Sequence, residues 1–199
     1  MSPYLRLITL AALLLLGACT SLGPTVPGDR ASQELALAQM ESWTARGKVA
    51  LRSPDNSESA SMLWQQRGEH TEIYLSGPVG VGATTLKSDG QTLEMRRGND
   101  RQVFDISSRA ALARNTGWDL PLAALPYWLR GLAAPRGEVQ ASSVDAAGRL
   151  ATLEQDGWSV TYSNYQSVDG LILPGRLEAV QGDTRVKVII HSWQMGAGH

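Results

Sequence analysis

The sequence predicts a mainly β domain with helices, of the α+β class, built on one antiparallel barrel or strongly curved sheet. The first observation is a set of about eleven short runs, at roughly 8–12-residue spacing, in which apolar and polar side chains alternate. The second is the turn chemistry that separates them, as in Ser53-Pro54-Asp55-Asn56, Ser88-Asp89-Gly90 and Gly98-Asn99-Asp100. The third is a change to helical spacing before the first run and again between residues 109 and 132.

The first eighteen residues stand apart from this pattern. Arg6 and the apolar run Leu7 to Leu16 read as an export signal, too short for a spanning helix of about 20 residues. The signal ends in Leu16-Gly17-Ala18-Cys19, which is similar to the lipobox of bacterial lipoproteins, where the cysteine is acylated and becomes the new N-terminus. Cys19 is the single cysteine of the chain, so a disulfide cannot account for it, and lipidation does. Thr20 stands where an aspartate would favour the inner membrane, so the outer membrane is expected. The chain divides into a cleaved signal peptide at 1–18, a lipid-anchored tether at 19–30 and one domain at 31–199.

Within the domain, Ala31 to Ser42 has good helix formers, with Leu35, Leu37 and Ala38 placed on one side and Ser32 or Asp29 as a cap. Trp43, Ala45, Gly47, Val49 and Leu51 then alternate with polar neighbours as one dry strand face. Ala60, Met62 and Trp64 do the same in the second run. Glu72 to Ser76 leads into the loop Gly77-Pro78-Val79-Gly80-Val81-Gly82, and strands follow at Thr84 to Lys87, Thr92 to Arg96 and Gln102 to Ile106. A helix is expected at Arg109 to Arg114, and a second amphipathic one carries Leu122, Leu125, Trp128, Leu129 and Leu132. Pro126 implies a kink or a late start in that second helix, because it lacks the N–H of an interior position. Strand spacing resumes at Glu138 to Val144, Leu150 to Gln155, Trp158 to Tyr165, Leu177 to Gln181 and Thr184 to Trp193.

Composition and motifs remove several classes of function. Eighteen basic residues face nineteen acidic ones, so a nucleic-acid footprint is not expected. The glycine-rich loop has Ala83 where a phosphate-binding loop needs lysine, and Gly80 and Gly82 lack the third glycine of a dinucleotide fingerprint. His70, His191 and His199 are not at metal-ligand spacing, and no Gly-x-Ser-x-Gly elbow occurs. No cofactor, no metal and no catalytic residue is therefore expected. Six tryptophans against one phenylalanine are the positive signal. They read either as core packing or as the walls of a wide apolar cavity. A structural lipoprotein that acts as an assembly partner and an envelope hydrolase stay open as alternatives on the residues alone.

Short segments spread through the domain stand in a specific order and spacing. They are Arg46-Gly47, Leu63-Trp64-Gln65-Gln66, Leu75-Ser76-Gly77-Pro78-Val79-Gly80, Leu120-Pro121-Leu122 and Trp128-Leu129-Arg130-Gly131-Leu132. Asp156-Gly157-Trp158-Ser159-Val160-Thr161-Tyr162, Leu173-Pro174 and Val186-Lys187-Val188 through Trp193 complete the set. Together they resemble the LolB family of outer-membrane lipoprotein receptors. The resemblance implies an open antiparallel half-barrel with helices over an apolar cavity. It further implies a protein that accepts lipoproteins from the periplasmic carrier LolA and places them in the outer membrane without nucleotide hydrolysis. The partners so implied are LolA, the acyl chains of client lipoproteins and outer-membrane lipid, met by a monomer. In the family a leucine protrudes from the Pro-x-Gly loop and serves delivery into the bilayer. Here that position is Val79, framed by Gly77, Pro78 and Gly80, while Trp64, Met62, Trp128 and Trp158 are expected in or beside the cavity.

Overall fold

The computed structural model describes residues 30–54, 57–77, 82–107, 111 and 121–196. The signal, Cys19 and the tether up to residue 29, the loop residues Pro78, Val79, Gly80 and Val81, and nearly all of the expected helix at 109–114 lie outside the described residues.

Helix α1 (Arg30–Ala38) leads into a meander of six strands: β1 (Ser42–Arg52), β2 (Ser57–Arg67), β3 (His70–Ser76), β4 (Thr84–Ser88), β5 (Thr92–Arg97) and β6 (Asp100–Asp105). A connecting segment carries the short helix α2 (Leu125–Leu129). It is followed by β7 (Val139–Val144), β8 (Leu150–Gln155), β9 (Trp158–Ser163), a small hairpin of β10 (Gln166–Val168) and β11 (Leu171–Leu173), then β12 (Arg176–Gln181) and β13 (Thr184–Met195). Strand β13 returns to β1 and pairs with it from Trp43↔Met195 to Arg52↔Arg185. The result is one 11-stranded sheet in the order β6-β5-β4-β3-β2-β1-β13-β12-β9-β8-β7. Its edges, β6 and β7, do not pair with each other, so the sheet is open and not a closed barrel.

Strand parity sends one face to the core. Ala45 stands opposite Trp64, Trp64 opposite Ile73, and Ile73 opposite Leu86, and all four are buried. On the other half Val188, Leu177 and Tyr162 form the equivalent cross-strand row. Cross-strand neighbours of this kind are the unit of sheet stabilisation. The tight turns use residues suited to left-handed backbone: Asp156 and Gly157 have φ of 52° and 76°, the pairing that matches strand twist in a two-residue hairpin.

Several expectations need correction. Helix α1 ends at Ala38, and Ser42 already belongs to β1, paired with Arg67. Leu35 is 60% exposed while Leu37 is 5% exposed, because the helix docks on the β10–β11 hairpin. There the Gln33 side chain donates to the Gly170 carbonyl and accepts from the Ile172 N–H. The hairpin itself was invisible in sequence, since three-residue strands are too short to display an alternation. Pro126 acts as a late start: α2 begins at Leu125, and the proline sits in its first turn, where a missing N–H costs nothing.

The seam between β1 and β13 depends on Gly47. The register shifts there, between Arg46 and Gly47, and a Cβ on Gly47 would lie 1.9 Å from the Ile189 carbonyl oxygen. Backbone can yield only by parting the strands. Gly47→Ala should therefore lower stability by about 3 kcal/mol, the upper range for overpacking. A fall in the urea midpoint with an unchanged slope would register it; a variant as stable as the parent would mean that the bulge relaxes freely.

Candidate functional site

The buried face of the open sheet is covered by the described part of the segment between edge strands β6 and β7, residues from 121 onward with α2. The two halves are covered differently. Over β8 and β9 the cover is packed solid, with Leu125, Trp128 and Leu129 of α2 buried and the Trp128 and Trp158 rings 6.2 Å apart. Over β1 to β5 it leaves a cleft of about 470 Å³, within the usual range for a small-molecule site.

The cleft wall on the sheet side is Trp43, Trp64, Ile73, Leu86 and Leu93, from five successive strands. Met40, Ile106, Leu122 and Tyr127 close it from the cover side. Trp43 anchors the wall by lying 6.0 Å from Trp64 in a stacked arrangement and 5.3 Å from Trp193 edge-on. Offset and edge-on contacts suit the ring quadrupoles better than a face-to-face sandwich. The cleft is therefore firm on the sheet side, where three indoles brace each other.

Three buried polar side chains hold this arrangement. Gln66 accepts hydrogen bonds from Trp64 Nε1 at 3.0 Å and Thr71 Oγ1 at 2.8 Å, and donates to the Gly68 carbonyl at 2.8 Å. Gln155, 0% exposed, accepts from Trp128 Nε1 and from the Ala134 N–H, both at 2.9 Å, and returns a bond to the Ala134 carbonyl at 2.8 Å. Arg130, 6% exposed, donates from Nε to the Pro126 carbonyl at 3.0 Å and from Nη1 to the carbonyls of Leu37 and Met40 at 2.7 and 2.9 Å. It thereby ties the end of α1 to α2. Burial holds the Arg130 guanidinium below its usual pKa, with the Tyr127 hydroxyl opposing that shift, yet an arginine stays charged in a protein.

Of the residues expected at a cavity, Trp64 lines the cleft. Met62 and Trp158 are buried on strands and Trp128 is buried on α2, but none of the three lines the cleft; Trp128 and Trp158 pin α2 to the sheet. Gly77 follows β3 and is half-buried. Val79, Pro78 and Gly80 are outside the described residues, as is Cys19. Sequence reasoning placed Trp43 on a dry strand face without assigning it to the site. It missed Gln155 and Arg130 altogether, although a glutamine at a core-facing strand position is itself a signal.

A second hollow, of about 550 Å³, lies on the outer face between β2 and β5 and is lined by groups such as Arg67, Glu72, Lys87 and Glu94. Lys87 pairs with Glu72 at 2.9 Å, and Arg101 and Arg96 hold the Glu94 carboxyl down to a pKa of about 2. Lys87, Glu72 and Glu94 are thus satisfied by ion pairs, so the apolar cleft is the better candidate. Among the described residues no group of His, Cys, Asp and Glu is placed to hold a metal ion, and no helix is long and apolar enough to cross a membrane.

The family model described as outer membrane lipoprotein LolB matches residues 41–193. An outer-membrane lipoprotein LolB from Stutzerimonas stutzeri is 37% identical, over 98% of this chain and 97% of its own. The LolB of Cellvibrio japonicus is 33% identical, over 96% and 98%. Among solved structures, a LolA superfamily protein from Nitrosomonas europaea matches at a TM-score of 0.51 and 9% identity, covering 81% of this chain and 89% of its own. A DUF1329 family protein from Desulfovibrio piger matches at 0.53 and 9%, covering 86% and 92%. At such identities the likeness extends to the fold alone.

The role of Gln155 as the clasp between cover and sheet has a measurable consequence. Gln155→Leu leaves the Trp128 and Ala134 N–H groups without acceptors inside the protein, at about 1–3 kcal/mol each. Stability should drop by about 3 kcal/mol, and amide exchange should accelerate between residues 125 and 135 ahead of the strands. Uniform acceleration throughout the sheet would instead make Gln155 an ordinary core residue.

Proposed function

The chain belongs to the LolB family of outer-membrane lipoproteins, and on that premise we propose that it receives lipoproteins by taking their acyl chains into the cleft under the connecting segment. The protein serves lipoprotein localisation at the outer membrane and is not an enzyme. The observation that carries the reading is the apolar wall of Trp43, Trp64, Ile73, Leu86 and Leu93 left unfilled beneath a cover clasped by a few polar contacts. LolA, the soluble carrier, would deliver the cargo, and outer-membrane lipid would accept it from a monomeric receptor.

Energetics make the need for such a wall plain. A triacylated lipoprotein has dozens of methylenes, and at about 0.8 kcal/mol for each one buried, release into water would cost on the order of 30 kcal/mol. Transfer must run from one apolar site to another and then to the bilayer, driven by differences in affinity alone. A cleft of about 470 Å³ accommodates roughly one drug-sized ligand. Three acyl chains therefore require the cover to lift. The half over β1 to β5 is where it has least to break.

Anchoring is assigned to Cys19, whose acylation would hold the receptor to the outer membrane on its periplasmic side. The membrane-fraction protein should carry the corresponding acyl mass on Cys19. The chain starting at residue 19 with Cys19→Ala should be soluble, should bind a fluorescent acyl probe at micromolar concentration and should take a lipoprotein from loaded LolA. An unmodified Cys19 would overturn the anchor. Failure of both binding and transfer would overturn the receptor reading and favour a structural lipoprotein.

Delivery into the bilayer is assigned to the loop after β3, with Val79 at its tip between Pro78 and Gly80, and Gly77 at its base. Fully burying one valine is worth only about 1.5 kcal/mol, too little to hold a protein on a membrane, so its action is local disturbance of lipid where cargo leaves. Val79→Glu should leave uptake from LolA nearly intact and abolish release into liposomes. Val79→Leu should release at least as well as the parent. A fall of many degrees in melting temperature for Val79→Glu would show the valine to be core and sink the assignment.

A further inference from the structure

The formal charges of the chain nearly cancel, at eighteen basic residues against nineteen acidic ones, yet they are not spread evenly over the fold. Strand parity turns Arg46, Lys48 and Arg52 of β1, Arg185 and Lys187 of β13 and Arg176 of β12 to the outer face of the sheet, away from the core. On that face of these three adjacent strands the single carboxylate is Glu178. Arg176 holds it at 3.3 Å and Arg185 at 2.8 Å, so among the described residues Arg46, Lys48, Arg52 and Lys187 have no carboxylate at ion-pair distance. Glu58 stands opposite Leu51 and by parity belongs to the other face, and Asp183 lies in the β12–β13 turn beyond the strands. Beside the cations β2 presents a row of exposed hydroxyls, with Ser61 opposite Lys48, Ser59 opposite Ala50 and Ser57 opposite Arg52. Sheet pairing does not gain from the arrangement, because Arg52 faces Arg185 directly across the β1–β13 ladder, and like charges so placed oppose pairing. The outer hollow on the β2–β5 side differs, since Lys87 and Arg101 there have found carboxylates.

Register places these cations beside the loop after β3. Ser61 pairs with Lys48 on one side and with Ser76, the last residue of β3, on the other, so the base of the loop is level with Lys48. Arg52 and Arg185 lie farther toward the same end of the sheet. Resting on the reading that Cys19 anchors the chain and that this loop meets the bilayer, we propose that Lys48, Arg52, Arg185 and Lys187, with the β2 serines, form a docking face for the phosphate headgroups of anionic phospholipid and set the loop end of the sheet down on the membrane. The anchor alone does not orient the domain: a tether of about a dozen residues reaches ~40 Å, enough to let the domain turn in any direction. One valine at the loop tip gains too little to choose among those directions. Several cations on one face attract a negatively charged membrane within a Debye length of about 8 Å, each adding to the pull. Paired strands hold them on a firm plane, with neighbours about 5 Å apart across the ladder. Guanidinium and hydroxyl donors side by side suit phosphate oxygens. An acidic protein surface is the other occupant such a face would take, and the place beside the membrane-facing loop favours lipid.

The test sediments the chain from residue 19 with Cys19→Ala, free of cargo, with vesicles of phosphatidylethanolamine alone or mixed with phosphatidylglycerol. Binding should require phosphatidylglycerol and should vanish at about 1 M salt, where the Debye length is about 3 Å. Each neutralised cation should weaken partition about fivefold, so the triple variant Lys48→Gln, Arg52→Gln, Lys187→Gln should bind about a hundredfold less. All three side chains lie on the outer face, so the melting temperature and the binding of an acyl probe should not change. A charge-keeping triple, Lys48→Arg, Arg52→Lys, Lys187→Arg, should bind like the parent. Equal binding to both vesicle types, no binding to either, or full binding by the glutamine triple overturns the docking face. A charge-keeping triple that binds as poorly as the glutamine one overturns it as well. If the glutamine triple loses uptake from loaded LolA with no vesicles present, the face meets the carrier, and the assignment to lipid falls. Acyl-probe binding by the parent reports on the cleft separately: its failure strikes the receptor reading, while vesicle binding still decides the docking face.

Discussion

An open sheet of eleven strands with one apolar face must have that face covered, and the rest of this molecule follows from how the covering is done. Closure into a barrel would have removed both edges and let the inner face fill itself. Here β6 and β7 stay apart, and the described residues between them, from 121 onward with α2, lie over the inner face. The described cover is thus a short stretch of chain leading into the sheet's margin at β7. What holds it is a small number of directional contacts, chiefly those of Gln155 with Trp128 and Ala134 and those of Arg130 with the end of α1.

Those contacts are unevenly distributed, and the unevenness makes a site. On the β8–β9 side, α2 inserts Trp128 against Trp158, and Gln155 fastens it from below. On the β1–β5 side the sheet offers its own aromatic wall, with Trp43 braced by Trp64 and Trp193, and the described part of the cover, which includes Tyr127, leaves a hollow against it. Tryptophan therefore has two different roles in one fold, gluing the cover on one half and lining a hollow on the other. Arg130 joins the halves, because its guanidinium donates to the Leu37 and Met40 carbonyls at the end of α1 and also borders the cleft.

Most of the strands were legible from sequence because half-buried antiparallel strands print their parity directly as alternation; Trp43, Ala45 and Gly47 or Trp158, Val160 and Tyr162 need no further context. The β10–β11 hairpin was not, since its three-residue strands are shorter than the signal that would reveal them. The end of α1 was misjudged for a tertiary reason: helical propensity continues through Ser42, but pairing of Ser42 with Arg67 claims that residue for the sheet. The division of tryptophans between packing and cleft was equally out of reach. Parity says which residues face inward and nothing about whether the space opposite them is occupied. Arg130 lay in plain view within Trp128-Leu129-Arg130-Gly131, yet only folding brings the carbonyls of Leu37 and Met40, some ninety residues away, to its guanidinium.

A receptor that takes cargo without an energy source must satisfy two opposed demands, and a partly filled cleft bears on both. An all-hydrocarbon wall gains affinity with every buried methylene, at about 0.8 kcal/mol each, and by the same arithmetic lets go more slowly the better it binds. A cover that closes against a partly filled hollow limits that gain, since apolar surface left uncontacted contributes little. A cargo chain can then be held by the wall beneath the cover and still leave once the cover lifts and a bilayer offers it more apolar contact than the cleft does.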